Sequence, residues 1–541
     1  MVAKKIVAIM LVFVMGLAVF SGCSKTEDNH GKQSTSGESS PSGSDSADKD
    51  KRPSFEYWHP IHAFTAKGME SHNEHPFAPR LAEETGVDVK YVNPPVGQEE
   101  EQLNLIFSSQ NLPDAFHSNL SENYKGGVDG AIADGIIINA TELIEEHAPN
   151  YMAMMSADED VRRDSYTDEG TIKAFGSIIP APEMRGLPFW GPFLNKKLLD
   201  KTGLGIPETI DDWETMLIAF KDMGIKAPFT WPANNTIGFL NDVFSGAYGV
   251  PSESEFFKEG NVVKYGPIQE GYREFLTLLN RWYEMGLLDA DYLSRNMNKH
   301  VKPMLINGEA GATVAHLTNL EQLEHLAKAD NKDIDLIAVP YPVLNKGDQI
   351  HFRHFLSNVK KEATFITTAA DDPVTIVKWI DYLYSPEGIE LTVWGDEGVT
   401  FEYDEQGNKK YTDLVENNPD GLPFSYARRQ LVIHDIISTY AWDEQKIFYD
   451  TEDQHDAWER WQKADYENVL PESLLFTVEE QEGYSRIMSE VDTYVEEMFT
   501  KFVMGIESLD NFDQFVATIK DMGIDEATAY KQASYDRYLD R

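Results

Sequence analysis

Hydrophobic and polar positions divide this chain into three regimes. Behind Lys4 and Lys5, the first is an unbroken apolar run from Ile6 to Phe20, too short to span a bilayer comfortably. The second, Ser24 to Pro53, is built mostly from Ser, Gly, Asp, Lys and Glu, with no Phe, Trp, Tyr, Leu, Ile, Val or Met. It cannot bury enough apolar surface to order itself and reads as a tether, with an end-to-end distance of roughly 30 Å for a flexible coil. The third begins at Phe55, where apolar residues recur with the periods of strands and helices.

That third regime opens with FEYWHP, a strand-like run. A helix over Pro79 to Glu84 follows and stops at Gly86, and then comes the strand-like VDVKYV. EEEQLNLIFSSQ places Leu103, Ile106 and Phe107 on one helical face, and LPD turns the chain into another short strand. Strand alternating with helix predicts an α/β unit on a parallel sheet, where ligands bind at the carboxyl ends of strands. A second unit begins near Arg185. In PETIDDWETMLIAFKDMG, Thr209 caps a helix with Asp212 three residues on, Ile210, Trp213, Leu217 and Phe220 line one face, and Gly224 ends it. A third helix has Asp372 as cap, Pro373 in its first turn and Ile376, Trp379, Ile380 and Leu383 as its buried stripe. ATFITT before it reads as a strand, and TFEYDEQGNKKYTD after it as a hairpin turning at Gly407-Asn408. From Tyr484 the pattern is amphipathic helix, broken at Gly505 and Gly523.

Composition narrows the function. A formal charge of −44, from 91 acidic against 47 basic residues, repels nucleic acid and anionic lipid. The single cysteine, Cys23, excludes disulfides and thiol catalysis from the folded part. No second apolar run is long enough for a transmembrane helix. Cys23 closes the run LAVFSGC with Ser21 and Gly22 before it, which resembles a bacterial lipobox, although Phe20 stands where an aliphatic residue is usual. The resemblance implies a leader over 1–22, a diacylglyceryl-modified Cys23 as the mature N-terminus, a tether over 23–54 and a location on the outer face of the cell membrane.

Six blocks, in order, resemble the large carbohydrate-type solute-binding lipoproteins of ABC importers in Gram-positive bacteria. They are ETGVDVKYV, FSSQNLPDAF, DGIIINATELIEEHAPNY, GIPETIDDWETML, WIDYLYSPEGIELTVWGDEGVTFEYDEQGN and the C-terminal KFVMGIESLDNFDQFVATIKDMGIDEATAYKQASYDRY. The resemblance implies an α/β, two-lobed periplasmic-binding-protein-like fold over 55–541, with a hinge and an interlobe ligand cleft. One lobe takes about 55–180 and 355–400, the other about 181–354 and 401–541. It also implies a monomer that captures an oligosaccharide by cleft closure and delivers it to permease subunits, with no catalysis, cofactor, metal or nucleic-acid partner.

Sugar clefts pair aromatic platforms with polar groups that hydrogen-bond hydroxyls. Trp213 and Trp379 fall on buried helical stripes and read as core. Trp58 and His59 end the first strand, where packing and ligand contact are both open. Trp190 in LPFWGPF, Trp231 with Asn234 in FTWPANN, and Trp394 with Glu397 in VWGDEGVTF sit on loops without helical spacing and read as cleft candidates. Asn119, His316 and Arg428 join them from positions near strands or loops. An Arg353, Arg428 or Arg429 in the cleft would favour an acidic glycan. The histidines at 59, 62, 72 and 75 form HxxH and HNEH patterns that suit a metal-binding lipoprotein, but no carboxylate or fixed scaffold accompanies them in sequence, so no metal is assigned. The remaining alternatives are a secreted polysaccharide-acting enzyme, for which no HExxH, GxSxG, P-loop or GxGxxG is present, and a peptide-binding lipoprotein.

Overall fold

Successive side chains of a strand point to opposite faces, so the first strand must choose which of its aromatic residues meets which helix layer. In the computed structural model that strand is β1 (Ser54–Trp58), the centre of a parallel trio with β2 (Asp88–Val92) and β3 (Ala115–Ser118). Phe55 and Tyr57 face the helix Pro373–Tyr382, with ring centroids 5.3 and 6.0 Å from Trp379. Trp58 points the other way, into a cluster with Leu103, Phe116, Leu120 and Phe365. The structure describes residues 52–179, 188–231, 243–250, 256–351, 357–432, 435–436, 439 and 452–541. The leader, Cys23, the tether as far as residue 51, Asn234 and Arg353 lie outside the described residues.

Two more strands, β4 (Phe175–Ile178) and β11 (Val359–Ile366), complete this sheet in the order β2-β1-β3-β11-β4. Because β11 runs antiparallel to both β3 and β4, the sheet is mixed rather than wholly parallel as the alternating pattern predicts. The helices follow their sequence signals. Gly86 takes φ 68°, a left-handed conformation that suits a residue without Cβ, and ends helix Phe77–Thr85. Asp372 accepts the Thr375 N–H at the start of helix Pro373–Tyr382.

The second lobe is organised on β5 (Trp190–Asn195), β6 (Ala227–Phe229), β9 (Ala310–His316) and β10 (Leu336–Ala338), in the order β10-β5-β9-β6. A hairpin of β7 (Phe256–Glu259) and β8 (Val262–Tyr265) lies outside that sheet. Helix Ile210–Asp222 carries the capping box of Thr209 and Asp212, and buries Ile210, Trp213, Leu217 and Phe220 as its spacing requires. C-terminal helices Val478–Val503, Phe512–Asp521 and Ile524–Asp540 contribute Val491, Phe502, Phe515 and Tyr538 to the same large core.

The hairpin of β12 (Phe401–Tyr403) and β13 (Lys409–Tyr411) roofs Trp394 together with helix Phe424–Leu431. This segment packs on the first lobe, not on the second to which the sequence assigns residues from 401 onward. Tyr426 stacks on Phe64 at 4.2 Å, the Gln430 amide donates to the Phe64 carbonyl, and the Thr65 hydroxyl donates to the Arg429 carbonyl. The chain passes between the lobes three times, after β4, after β10 and after helix Phe424–Leu431. Two hydrogen bonds hold the first-lobe ends of these passages side by side, from the Ile179 N–H to the Asn358 carbonyl at 2.8 Å and from the Thr439 hydroxyl to the Ile178 carbonyl at 2.7 Å.

Candidate functional site

A cavity of about 600 Å³ opens at the carboxyl edge of the first sheet. Each wall is a segment that leaves or enters that edge. His59, Pro60 and His62 follow β1, Val96 and Glu99 follow β2, and His117 lies near the end of β3. Lys360, Glu362 and Thr364 lie along β11, Arg429 comes from helix Phe424–Leu431, and Asp435 from the third passage between lobes. Its floor is apolar and aromatic, made by Tyr57, Trp379 and Tyr384.

Hydrogen bonds assign the histidine tautomers here. His59 Nδ1 lies 2.7 Å from the Pro60 carbonyl, which only accepts, so the proton sits on Nδ1. Its Nε2 is then a bare acceptor, and it is buried with no partner. Burial, reinforced by His117 and His72 nearby, keeps this imidazole neutral by lowering its pKa well below the usual histidine value. His62 Nδ1 accepts the Phe64 N–H, and burial with Arg429 close by draws its pKa down to about 4. His75 accepts the Phe77 N–H at Nδ1 and donates from Nε2 to the Arg429 carbonyl, with burial again lowering it to about 4. His117 stacks on His59 at 4.6 Å, contacts Thr364 Oγ1 at 3.2 Å, and is lowered to about 4 by burial.

Asp435 is the hub that fixes these groups. It accepts from His72 Nε2 at 3.2 Å, from the His62 N–H at 3.1 Å and from Arg429 Nη1 at 2.6 Å. Burial alone would raise its pKa, but the His72 hydrogen bond and the Arg429 charge outweigh it and hold the carboxyl well below its usual range. His72 in turn takes the Asn93 amide at Nδ1, 2.7 Å away. The HxxH and HNEH histidines do meet in space. Both ring nitrogens of His72 and of His75 are spent on backbone, amide and carboxylate partners, and His59 Nδ1 and His62 Nδ1 on backbone groups, which leaves His59 Nε2 as the unpartnered acceptor. Among the described residues, the group with metal-ligand proximity is His351, Asp465 and Glu467, which does not line this cavity.

Of the residues singled out from sequence, His59 lines the cavity and Trp58 does not, because the strand alternation turns its ring into the core at 3% exposure. Trp190 and His316 are brought together on the second lobe, paired across β5 and β9 with ring centroids 5.1 Å apart. They stand where β5 begins and β9 ends, the edge at which β10 also terminates and hands the chain back to the first lobe. Trp231 is fully buried, packed on Tyr292 at 4.6 Å and Phe229 at 5.4 Å, so its indole turns inward and the cleft expectation is corrected to core. Trp394 is likewise core, covered by Tyr411 at 5.0 Å, while Glu397 is exposed in the turn beyond it. Asn119 and Arg428 are both buried and neither lines the cavity.

His117, Glu99, Lys360, Glu362 and Asp435 are lining residues that the sequence did not single out. The first two follow the rule that sites form after strands. Asp435 carries no local signal, since its partner His72 is 363 residues away.

A family model for the bacterial extracellular solute-binding protein matches residues 74–390. The fructooligosaccharide ABC transporter substrate-binding protein FusA of Streptococcus pneumoniae serotype 4 is 22% identical over 499 residues, covering 86% of this chain and 87% of that protein. Lipoprotein LipO of Bacillus subtilis is 22% identical over 479 residues, 82% of this chain and 86% of its own. Among solved structures, the alginate-binding protein AlgQ2 without calcium ion superposes with a TM-score of 0.70 at 22% identity, covering 90% of this chain and 98% of AlgQ2. Two α/β lobes joined by three passages, a cavity at the strand ends and a family match over more than half the length agree: this chain belongs to the bacterial extracellular solute-binding proteins.

Proposed function

We propose that this protein is the lipid-anchored, extracellular substrate-binding component of an ABC importer, capturing an oligosaccharide between its lobes and presenting it to permease subunits. The observation that carries the reading is the His59 Nε2 lone pair, buried without a partner in the wall of a cavity floored by Trp379, Tyr57 and Tyr384. A buried acceptor without a donor costs free energy until a ligand supplies one, and a sugar hydroxyl does so while its apolar ring face covers the aromatic floor. Trp190 and His316, at the facing edge of the second lobe, supply the opposite wall when the three passages bend. FusA and AlgQ2, whose names describe fructooligosaccharide and alginate binding, support carbohydrate as the cargo class. LipO, named a lipoprotein, supports an anchor at Cys23.

The test is a thermal-shift screen of residues 52–541 against neutral and acidic oligosaccharides, with peptides and divalent metals alongside. A ligand at a hundred times its dissociation constant adds about 2.7 kcal/mol, a rise of a few degrees in melting temperature for a protein of this size. The expected result is a rise with one glycan class, the glycan being recovered intact. A rise only with peptide or metal, or a glycan recovered in cleaved form, overturns the proposal.

A further inference from the structure

We infer that the cavity is built for a neutral oligosaccharide and discriminates against glycans that carry carboxylates. The inference rests on the carbohydrate reading above and concerns which sugars that same site admits. Among the described lining residues, five are formally charged: the carboxylates of Glu99, Glu362 and Asp435, and the cations Lys360 and Arg429.

Arg429 is the side chain that would recognise a uronate, because a guanidinium can offer a carboxylate two parallel N–H donors. Here its charge is matched within the wall. Nη1 lies 2.6 Å from Asp435 Oδ1, and Asp435 is itself buried, locked by His72 Nε2 and the His62 N–H. With the Asp435 carboxyl held well below its usual range, this ion pair persists at neutral pH and offers an entering anion no net positive charge. Nor do the histidines supply one. His59, His62 and His117 are neutral at pH 7, burial being the main cause in each. Their imidazoles present hydrogen-bonding atoms without charge, which suits hydroxyls.

What remains is Lys360 against Glu99 and Glu362, a negative balance. Glu99 also opens helix Glu99–Ser109, whose first turn holds Glu99, Glu100 and Glu101. Acidic side chains in a first turn lie at the positive end of the helix dipole, where they are favourably placed. A uronate entering would meet like charge in the wall, and the guanidinium among the described lining residues is already engaged.

The experiment is calorimetric titration of residues 52–541 with each neutral oligosaccharide that binds and with the same chain oxidised at C6 to the uronate. The oxidised chain is expected to bind at least about tenfold more weakly, with the gap narrowing in Glu362→Gln and as salt is raised. Glu362 is exposed, so that variant leaves the fold intact. An oxidised chain that binds as tightly as its neutral parent, or more tightly, overturns the inference while leaving carbohydrate capture standing. If no glycan of either kind binds, the carbohydrate reading itself falls, and this inference with it.

Discussion

Exchanging His59 for phenylalanine separates a ligand-recognition role from a packing role, because the two make opposite claims about the free protein. The imidazole gives the fold one hydrogen bond, from Nδ1 to the Pro60 carbonyl, worth about 1 kcal/mol. It also burdens the fold with a buried, unpaired Nε2, at a cost of about 1–3 kcal/mol. Phenylalanine removes both terms and adds ring volume against His117, whose centroid is 4.6 Å away, at roughly 1 kcal/mol for modest overpacking. The sum lies near zero, so His59→Phe should unfold within about 1 kcal/mol of the native chain. Binding responds differently. If a sugar hydroxyl donates to Nε2, the variant forfeits that bond and the relief of the unpaired acceptor, about 1–3 kcal/mol or roughly 5- to 150-fold in Kd. Urea unfolding and calorimetric titration of the same two proteins read both quantities. A variant destabilised by several kcal/mol, with its affinity for glycan unchanged, would refute the reasoning and make His59 a structural residue.

The buried histidines predict a pH dependence. With folded pKa values lowered to about 4 for His62, His75 and His117, the unfolded chain holds more protons between the ordinary histidine value and about 4. Their contribution is complete above pH 6.5 and declines as pH falls through that window. Comparison with His75→Gln, whose amide can still reach the Arg429 carbonyl, cancels whole-molecule charge effects. The native chain should lose up to about 1.4 kcal/mol per pH unit relative to the variant, and parallel curves would exclude the linkage. In the second lobe, a Cβ on Gly191 would lie 2.2–2.6 Å from ring atoms of the fully buried Trp461, so Gly191→Ala must displace that indole. We expect a loss of about 1–3 kcal/mol with altered tryptophan fluorescence, and native-like stability would contradict the close approach.

What was legible in the sequence was local. The capping box of Thr209 and Asp212, the Asp372 cap and the hairpin turning at Gly407-Asn408 depend on residues within a few positions of one another, and each forms where its spacing places it. Strand parity was equally available, since Tyr57 and Trp58 must face opposite layers, but nothing in FEYWHP says which layer holds a cavity. Lack of helical spacing misled for Trp231 and Trp394, because a loop residue is free to fold inward. Trp231 fills the space beside Tyr292, and Trp394 is roofed by a hairpin that begins several residues later. The attachment of 401–432 to the first lobe rests on contacts such as Phe64 with Tyr426, made across more than 350 residues of chain. The Asp435 hub is of the same kind, an acidic residue like many others until the fold sets His62, His72 and Arg429 around it.

The position of β11 bears on how the chain reaches its native state. It lies between β3 and β4, yet it follows them in sequence by more than 180 residues, after every strand of the second sheet has been synthesised. A chain emerging N-terminus first therefore presents β3 and β4 with a vacant interior slot, their inner backbone groups lacking partners, until residue 366 has appeared. Pairing over such separations carries a loop-closure cost before any contact repays it, which delays completion of the first sheet. For a member of an extracellular solute-binding family, this order keeps the leading half from locking into its final shape until the later half is available.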